Sequence, residues 1–279
     1  MNIPWKLKSG IFRIIDLFGV YFLVDFLQKY VTKRSVKKSQ IFNSAWELHL
    51  NVINKYGPMR TLFEFGAGQS LAQNLYLSQA IEKQELVDLN CIIDLKLVEN
   101  SRRFIDKNYY LLCKPINVFE DLEEYGINYT APADAKSTQL PSNSIDVCVS
   151  TDTLEHIPLN EIQEILKEIY RVLTEDGCLS LKIDYSDHYS HTDHNISSLN
   201  FLSYSNSEWK KYNHKYHFQN RLRHDDFAKI ITDAGFQIVE EKILSKVDSL
   251  EGCQIHDEFK KSIKLEVTEG YFCAKKKVT

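Results

Sequence analysis

Two stretches of this 279-residue chain hold side chains whose types and spacing could do chemistry. The first, TLFEFGAGQS at Thr61 to Ser70, runs from an apolar segment into Gly66, Ala67 and Gly68, with Glu64 two residues before the first glycine. A glycine turn lets the backbone approach a ligand closely, and the neighbouring carboxylate favours positive charge. The second, DYSDHYSHTDH from Asp184 to His194, interleaves carboxylates with imidazoles, the groups that exchange protons near neutral pH. Here His188, with Asp187 beside it, is the first candidate for a general base, and His191 and His194 are substitutes. The same composition could ligate a metal. A stretch rich in Ser, Thr and Asn does not read as a helix that aligns its histidines, however, and it matches no ligand spacing, so no metal is expected.

The elements that must position these groups follow from hydrophobic pattern. From Ile41 onward, helical patterns alternate with short apolar runs, which implies a parallel sheet covered by helices. Strands are expected at residues 61–65, 90–94, 127–129, 145–150 and 178–184. Helices fill about 71–83, 99–107 and 159–173, the last stopped by Glu175, Asp176 and Gly177. A helix over 223–234 then precedes two strands, 236–244 and 265–273, which would form a hairpin and add one antiparallel strand. The expected class is α/β: a Rossmann-like, seven-stranded, mostly parallel sheet with one antiparallel strand, helices on both faces and extra N-terminal helices. Residues 1–57 read as an N-terminal helical segment and 58–279 as the main domain, with an insertion at 185–222.

Composition narrows the partners. With 34 basic against 38 acidic residues and a net charge of -4, the chain is no general polyanion binder, and no nucleic acid is expected. The six cysteines form no CxxC pair and read as reduced, buried thiols of a cytosolic protein. The N-terminal run IFRIIDLFGVYFLVDFLQKYVTKR is very apolar, but Arg13, Asp16 and Asp25 interrupt it, and it suits neither a membrane span nor a signal peptide. It reads as amphipathic helix that either caps the domain or lies on a membrane surface. The basic residues Lys33, Arg34, Lys37 and Lys38 keep the second option open.

In a doubly wound sheet the ligand sits at the carboxyl ends of the strands, where strand order reverses, and the first strand-to-helix turn touches it. A dinucleotide turn would place a third glycine at Leu71, and Glu64 would oppose its pyrophosphate. S-adenosylmethionine, with a sulfonium and an ammonium, fits the acid better. Asp94, at the end of the second expected strand, could accept hydrogen bonds from both ribose hydroxyls, and Asp134, with the Ala135 amide, could hold an adenine.

EFGAG, Asp94, the Asp134-Ala135 pair, LPSNSID at 140–146, LEHI at 154–157 and RVLTEDG together resemble the class I S-adenosylmethionine-dependent methyltransferases, in the branch called methyltransferase type 11. The resemblance covers about residues 61–184. It implies that Glu64, Gly66 and Gly68, with Ala67 between them, line the methionine end of S-adenosyl-L-methionine. It also implies Asp94 at the ribose, Asp134 and Ala135 at the adenine, and Thr151 at the mouth of the fourth strand. Ser70 replaces the family's third glycine and could cap the next helix. His156 is expected first as a packing or hydrogen-bonding residue and second as a base.

The insertion would overhang the reactive methyl group. It carries most of the chain's histidines with many Tyr and Asn side chains, a mixture suited to a polyhydroxylated small molecule or glycan. Arg221 and Arg223 either face an anionic part of that substrate or lie at the surface. The insertion is also similar, more loosely, to methyltransferases of bacterial surface-polysaccharide biosynthesis. That implies O-methylation of a glycan or activated sugar, in the cytoplasm or at the inner face of the membrane. The alternatives are an RNA methyltransferase, against which the acidic balance and the lack of an NPPY-like motif argue, and a non-catalytic module, which would not need Glu64, Asp94 and Asp134 together.

Overall fold

The computed structural model describes residues 3–20, 34–109 and 114–277. In chain order its helices and strands are α1 Trp5–Phe18, α2 Arg34–Lys38, α3 Ala45–Tyr56, β1 Thr61–Phe65, α4 Ala72–Leu77, β2 Lys83–Val87, α5 Leu95–Tyr109, β3 Ile127–Thr130 and β4 Ile145–Thr151. There follow α6 Leu159–Val172, β5 Leu173–Asp184, α7 Asn206–Trp209, α8 His224–Asp233, β6 Phe236–Lys246 and β7 Val267–Lys276. The strands form one seven-stranded sheet in the order β3-β2-β1-β4-β5-β7-β6. Only β7 runs against its neighbours, β5 and β6, so the fold is the expected mostly parallel α/β sheet with one antiparallel strand. Strand order reverses between β1 and β4, and a crevice opens at such a point.

Successive side chains of a strand point to opposite faces, and each face buries its own core. Leu62, Val147, Val149, Cys178 and Tyr271 pack toward α3, α4 and α5. Their neighbours Phe63, Cys148, Leu179 and Phe272 pack toward α6 and α8. Helix α6 shows why it lies there: Ile162, Ile165, Leu166, Ile169 and Val172 form one helical stripe, and every one is buried. Burying a side chain such as Phe63, which is fully enclosed, contributes about 1.5–3 kcal/mol.

Several expectations fail locally. The second strand is β2, not residues 90–94, which lie in the loop before α5; the expected helix over 71–83 ends at Leu77. The cause is Gln84, a polar residue with no exposure in the middle of a sheet. Its amide donates to the carbonyls of Asn74 (3.0 Å) and Tyr125 (3.2 Å), so burial costs it little, whereas in sequence it breaks the apolar pattern of a strand. The expected stop at 175–177 is likewise absent. Strand β5 begins directly after α6, and residues 174–177 form an irregularity between the pairs Ile145–Leu173 and Val147–Cys178. Nor does Ser70 cap α4: Leu71, at φ 45°, is the N-cap residue, and no side chain caps it.

A third cluster joins α1 to the chain after β5. Trp5, Phe12 and Ile15 are buried with Tyr189, Leu199, Phe201, Leu202 and Trp209, and the Trp5 amide donates to Asp193 Oδ2 at 2.8 Å. The helix leaves Leu7, Ile11, Ile14, Leu17 and Phe18 exposed. Among the described residues no helix is long and apolar enough to cross a membrane. The rest of the apolar N-terminal run, 21–33, lies outside the described residues.

Candidate active site

At the carboxyl ends of β1, β2 and β4 lies a cavity of about 280 Å³, lined among others by Gly66, Asp88, Asp134, Ala135, Thr153 and His156. Gly66 has φ 72°, and a Cβ there would stand 2.5 Å from Thr153 Cγ2, so only glycine lets the two loops meet. Asp88 follows β2 and is 6% exposed; its Oδ2 accepts from the Tyr129 hydroxyl at 3.0 Å. Burial raises its pKa, and the hydrogen bonds from Tyr129 and the Gly68 amide oppose that rise. Asp134 Oδ1 accepts from the Lys136 amide at 2.9 Å, and Ala135 beside it is buried. Asp94, by contrast, stands one residue before α5, where its carboxylate accepts from the Lys96 amide at 3.0 Å. The acid at the end of the second strand is therefore Asp88, because that strand lies earlier in the chain than its sequence pattern suggests.

Glu64 is enclosed beneath this loop. Its two oxygens accept from Gln73 Nε2 (2.9 Å) and Asn74 Nδ2 (2.7 Å), while burial pushes its pKa up to about 7. The contacts continue as a chain whose direction the chemistry fixes. The Thr151 hydroxyl donates to Gln73 Oε1 at 2.8 Å, so its oxygen accepts from His49 Nε2 at 2.9 Å. Burial lowers the His49 pKa to about 3, so the ring is neutral and Nδ1 accepts from Ser180 Oγ at 2.7 Å. Ser180 in turn accepts from the Tyr271 hydroxyl at 2.8 Å. Thr151 thus ends β4 inside this relay rather than in the cavity.

A second polar group lies where β4 and β5 end. His188 Nε2 is 3.3 Å from Asp184 Oδ2, and His191 Nε2 is 3.7 Å from the same oxygen. The His188 ring centroid is 4.9 Å from that of His156 and 4.8 Å from that of His191. His156 Nδ1 donates to the Phe218 carbonyl at 2.8 Å. Glu155 is 3% exposed, and neither of its carboxylate oxygens has a hydrogen-bond partner. Burial, and then the charge of Asp152, push its pKa well above the usual carboxylate range.

The expected partner of His188 is placed differently. Asp187 is fully buried and accepts from the Tyr189 amide (2.8 Å) and Asn200 Nδ2 (2.9 Å), which shapes the loop; the carboxylate beside the imidazole is Asp184. His194 is exposed and outside the cluster. Arg221 and Arg223 face neither solvent nor an anion site. Arg221 donates to the carbonyls of Phe201 and Tyr204, both at 2.8 Å, and Arg223 to those of Tyr185 (2.6 Å), Leu265 (3.0 Å) and Val267. Both pin the segment after β5 to the core, and burial lowers the pKa of each to about 10. Sequence reasoning passed over Asp88, Gln73, His49 and Glu155. For Asp88 the signal was present, an apolar Leu86-Val87 pair running into an acid; the other three become polar partners only once distant segments meet.

Residues 116–181 match the family model of the methyltransferase domain. The chain carries a methyltransferase domain. S-adenosylmethionine is the cofactor that this methyltransferase takes, and the cavity's residues fit it: a glycine turn, an enclosed acid at the second strand and Asp134 with Ala135. No curated protein matches the methyltransferase in sequence. Among solved structures, a chain of the complex containing the Trm112 methyltransferase activator of Haloferax volcanii is 12% identical; 91% of this chain and 97% of that one are covered, with a TM-score of 0.51. A candidate methyltransferase of Bacillus halodurans is 16% identical over 84% of this chain and 99% of its own, with a TM-score of 0.50. An S-adenosylmethionine-dependent methyltransferase of Methanosarcina mazei is 15% identical over 82% and 98%, at 0.49. At such identities the likeness to the first two is one of fold, the mostly parallel seven-stranded sheet described above.

Proposed function

We propose that this methyltransferase acts on a hydroxyl of a glycan, an activated sugar or another small polar acceptor. The supporting observation is the position of the His188–Asp184 pair beside His156, which also lines the cofactor cavity. When bound, S-adenosylmethionine supplies an electrophilic methyl group on a sulfonium. Asp88 would hold the ribose, Asp134 and Ala135 the adenine, and the turn from Gly66 through Ala67 to Gly68 the methionine end. The ionised Glu64, buried below the turn, would favour the cofactor's positive charge. His188 would take the acceptor's proton, with Asp184 orienting the ring and stabilising the imidazolium. His156, anchored through Phe218, would hold the acceptor oxygen rather than remove its proton.

Methyl transfer from labelled S-adenosylmethionine to a panel of sugars, nucleotide sugars and glycans tests this reading. His188→Ala should leave S-adenosylhomocysteine binding intact and lower turnover about 100-fold or more. Full turnover in that variant, or transfer to RNA alone, would contradict the proposal. The exposed Leu7, Ile11, Ile14, Leu17 and Phe18 of α1, flanked by Lys6 and Lys8, support a second element of the reading, contact with a membrane surface near a lipid-linked acceptor. Flotation of the full chain with anionic vesicles checks it, and a chain that stays at the bottom of the gradient removes it.

A further inference from the structure

We infer that the cluster at the ends of β4 and β5 is a binding site for a divalent transition-metal ion, held by Glu155, His156 and His188. Ligand atoms of these three residues lie within 4.8 Å of one another, and His188 also belongs to a second such group with Asp184 and His191. The geometry alone would not single out a metal. What does is the state of the most buried member: both oxygens of Glu155, a side chain 3% exposed, lack any hydrogen-bond partner. Leaving such groups unpaired out of water is costly, and a cation that they converge on removes the cost.

The surroundings match what a ligating histidine requires. His156 donates its Nδ1–H to the Phe218 carbonyl at 2.8 Å, which fixes the tautomer and makes Nε2 the lone-pair nitrogen. Two imidazoles and a carboxylate, with a further carboxylate close by, form a mixed nitrogen and oxygen donor set that suits Zn²⁺, Co²⁺, Fe²⁺ or Mn²⁺ better than Ca²⁺ or Mg²⁺. The ligands come from the turn after β4 and the loop after β5, which is why no spacing in the sequence announces them.

The site itself does not depend on the proposed methyl transfer, but its role does. An imidazole nitrogen that holds a cation cannot also take a proton. With an ion bound, His188 would therefore be a ligand in place of the proton acceptor it is in the ion-free reading above; the cluster would polarise the acceptor hydroxyl, and its proton would pass to His191, whose side chain is 41% accessible.

The test is a titration of Co²⁺ into the EDTA-treated full chain, without methyl donor or acceptor, followed by its visible absorption. A band that grows to one ion per chain and is displaced by Zn²⁺ is expected. Glu155→Gln, which keeps the side chain's shape, and His188→Ala should each weaken binding about 100-fold or more. Thermal melts of both variants without metal show whether they fold. No Co²⁺ band in the unaltered chain, or a band that neither folded variant changes, would overturn the inference. Because S-adenosylhomocysteine binding is measured separately, loss of the metal site and loss of the methyl-transfer reading remain distinguishable outcomes.

Discussion

Replacing Asp88 with asparagine separates the cofactor assignment from the stability of the fold. Its carboxylate is enclosed at the cavity and accepts from Tyr129 at 3.0 Å, a bond that an asparagine oxygen retains. The variant should therefore fold, with stability within about 1 kcal/mol of the parent. What it loses is the charge that strengthens hydrogen bonds to a ribose. Hydrogen bonds to a charged group contribute about 1.5–3 kcal/mol, so the dissociation constant for S-adenosylhomocysteine should rise about ten- to a hundredfold. Isothermal titration calorimetry reads that change directly. Asp94→Asn is the control: Asp94 caps α5 through the Lys96 amide, and its substitution should change affinity by less than about twofold, or 0.4 kcal/mol. Unchanged affinity in Asp88→Asn would refute the ribose role, and a loss confined to Asp94→Asn would move the site to the loop before α5.

The buried Glu64 carries a pH signature in the empty protein. With its pKa near 7 against an ordinary 4.5, its contribution to stability is complete below about pH 4.5 and is lost as pH rises through 7. The loss amounts to about 3 kcal/mol. Glu64→Gln should flatten the fall in denaturant midpoint between pH 5 and 8, and an unaltered slope would mean that Glu64 titrates normally. Thr151→Val should strand His49 Nε2 and Gln73 Oε1 and cost about 2 kcal/mol or more by urea unfolding; a neutral effect would break the relay drawn from Glu64 to Tyr271.

The parts legible in the sequence were those governed by local pattern. The apolar run into Gly66-Ala67-Gly68 gave β1 at its true bounds, and the stripe from Ile162 to Val172 gave α6. The two late strands gave the one antiparallel reversal. What was not legible depended on polar groups satisfied at long range. Gln84 is buried in β2 because carbonyls from Asn74 and Tyr125 receive its amide, and no local rule reports that. The same holds for Arg221 and Arg223, which read as surface or substrate contacts until their carbonyl partners are seen. His49 is a further case. It lies on α3, inside the N-terminal helical segment, and no local pattern reports that it is hydrogen-bonded to Ser180 and Thr151 of the sheet.

The central claim is that the cavity beside Gly66 and Asp88 takes S-adenosylmethionine. Thermal melts with S-adenosylhomocysteine or NAD, each at millimolar concentration, test it most directly. A ligand at about 100 times its dissociation constant adds about 2.7 kcal/mol, which for a chain of this size raises Tm by several degrees. A rise with S-adenosylhomocysteine and none with NAD is the expected result. A rise with NAD alone, or with neither, would contradict it.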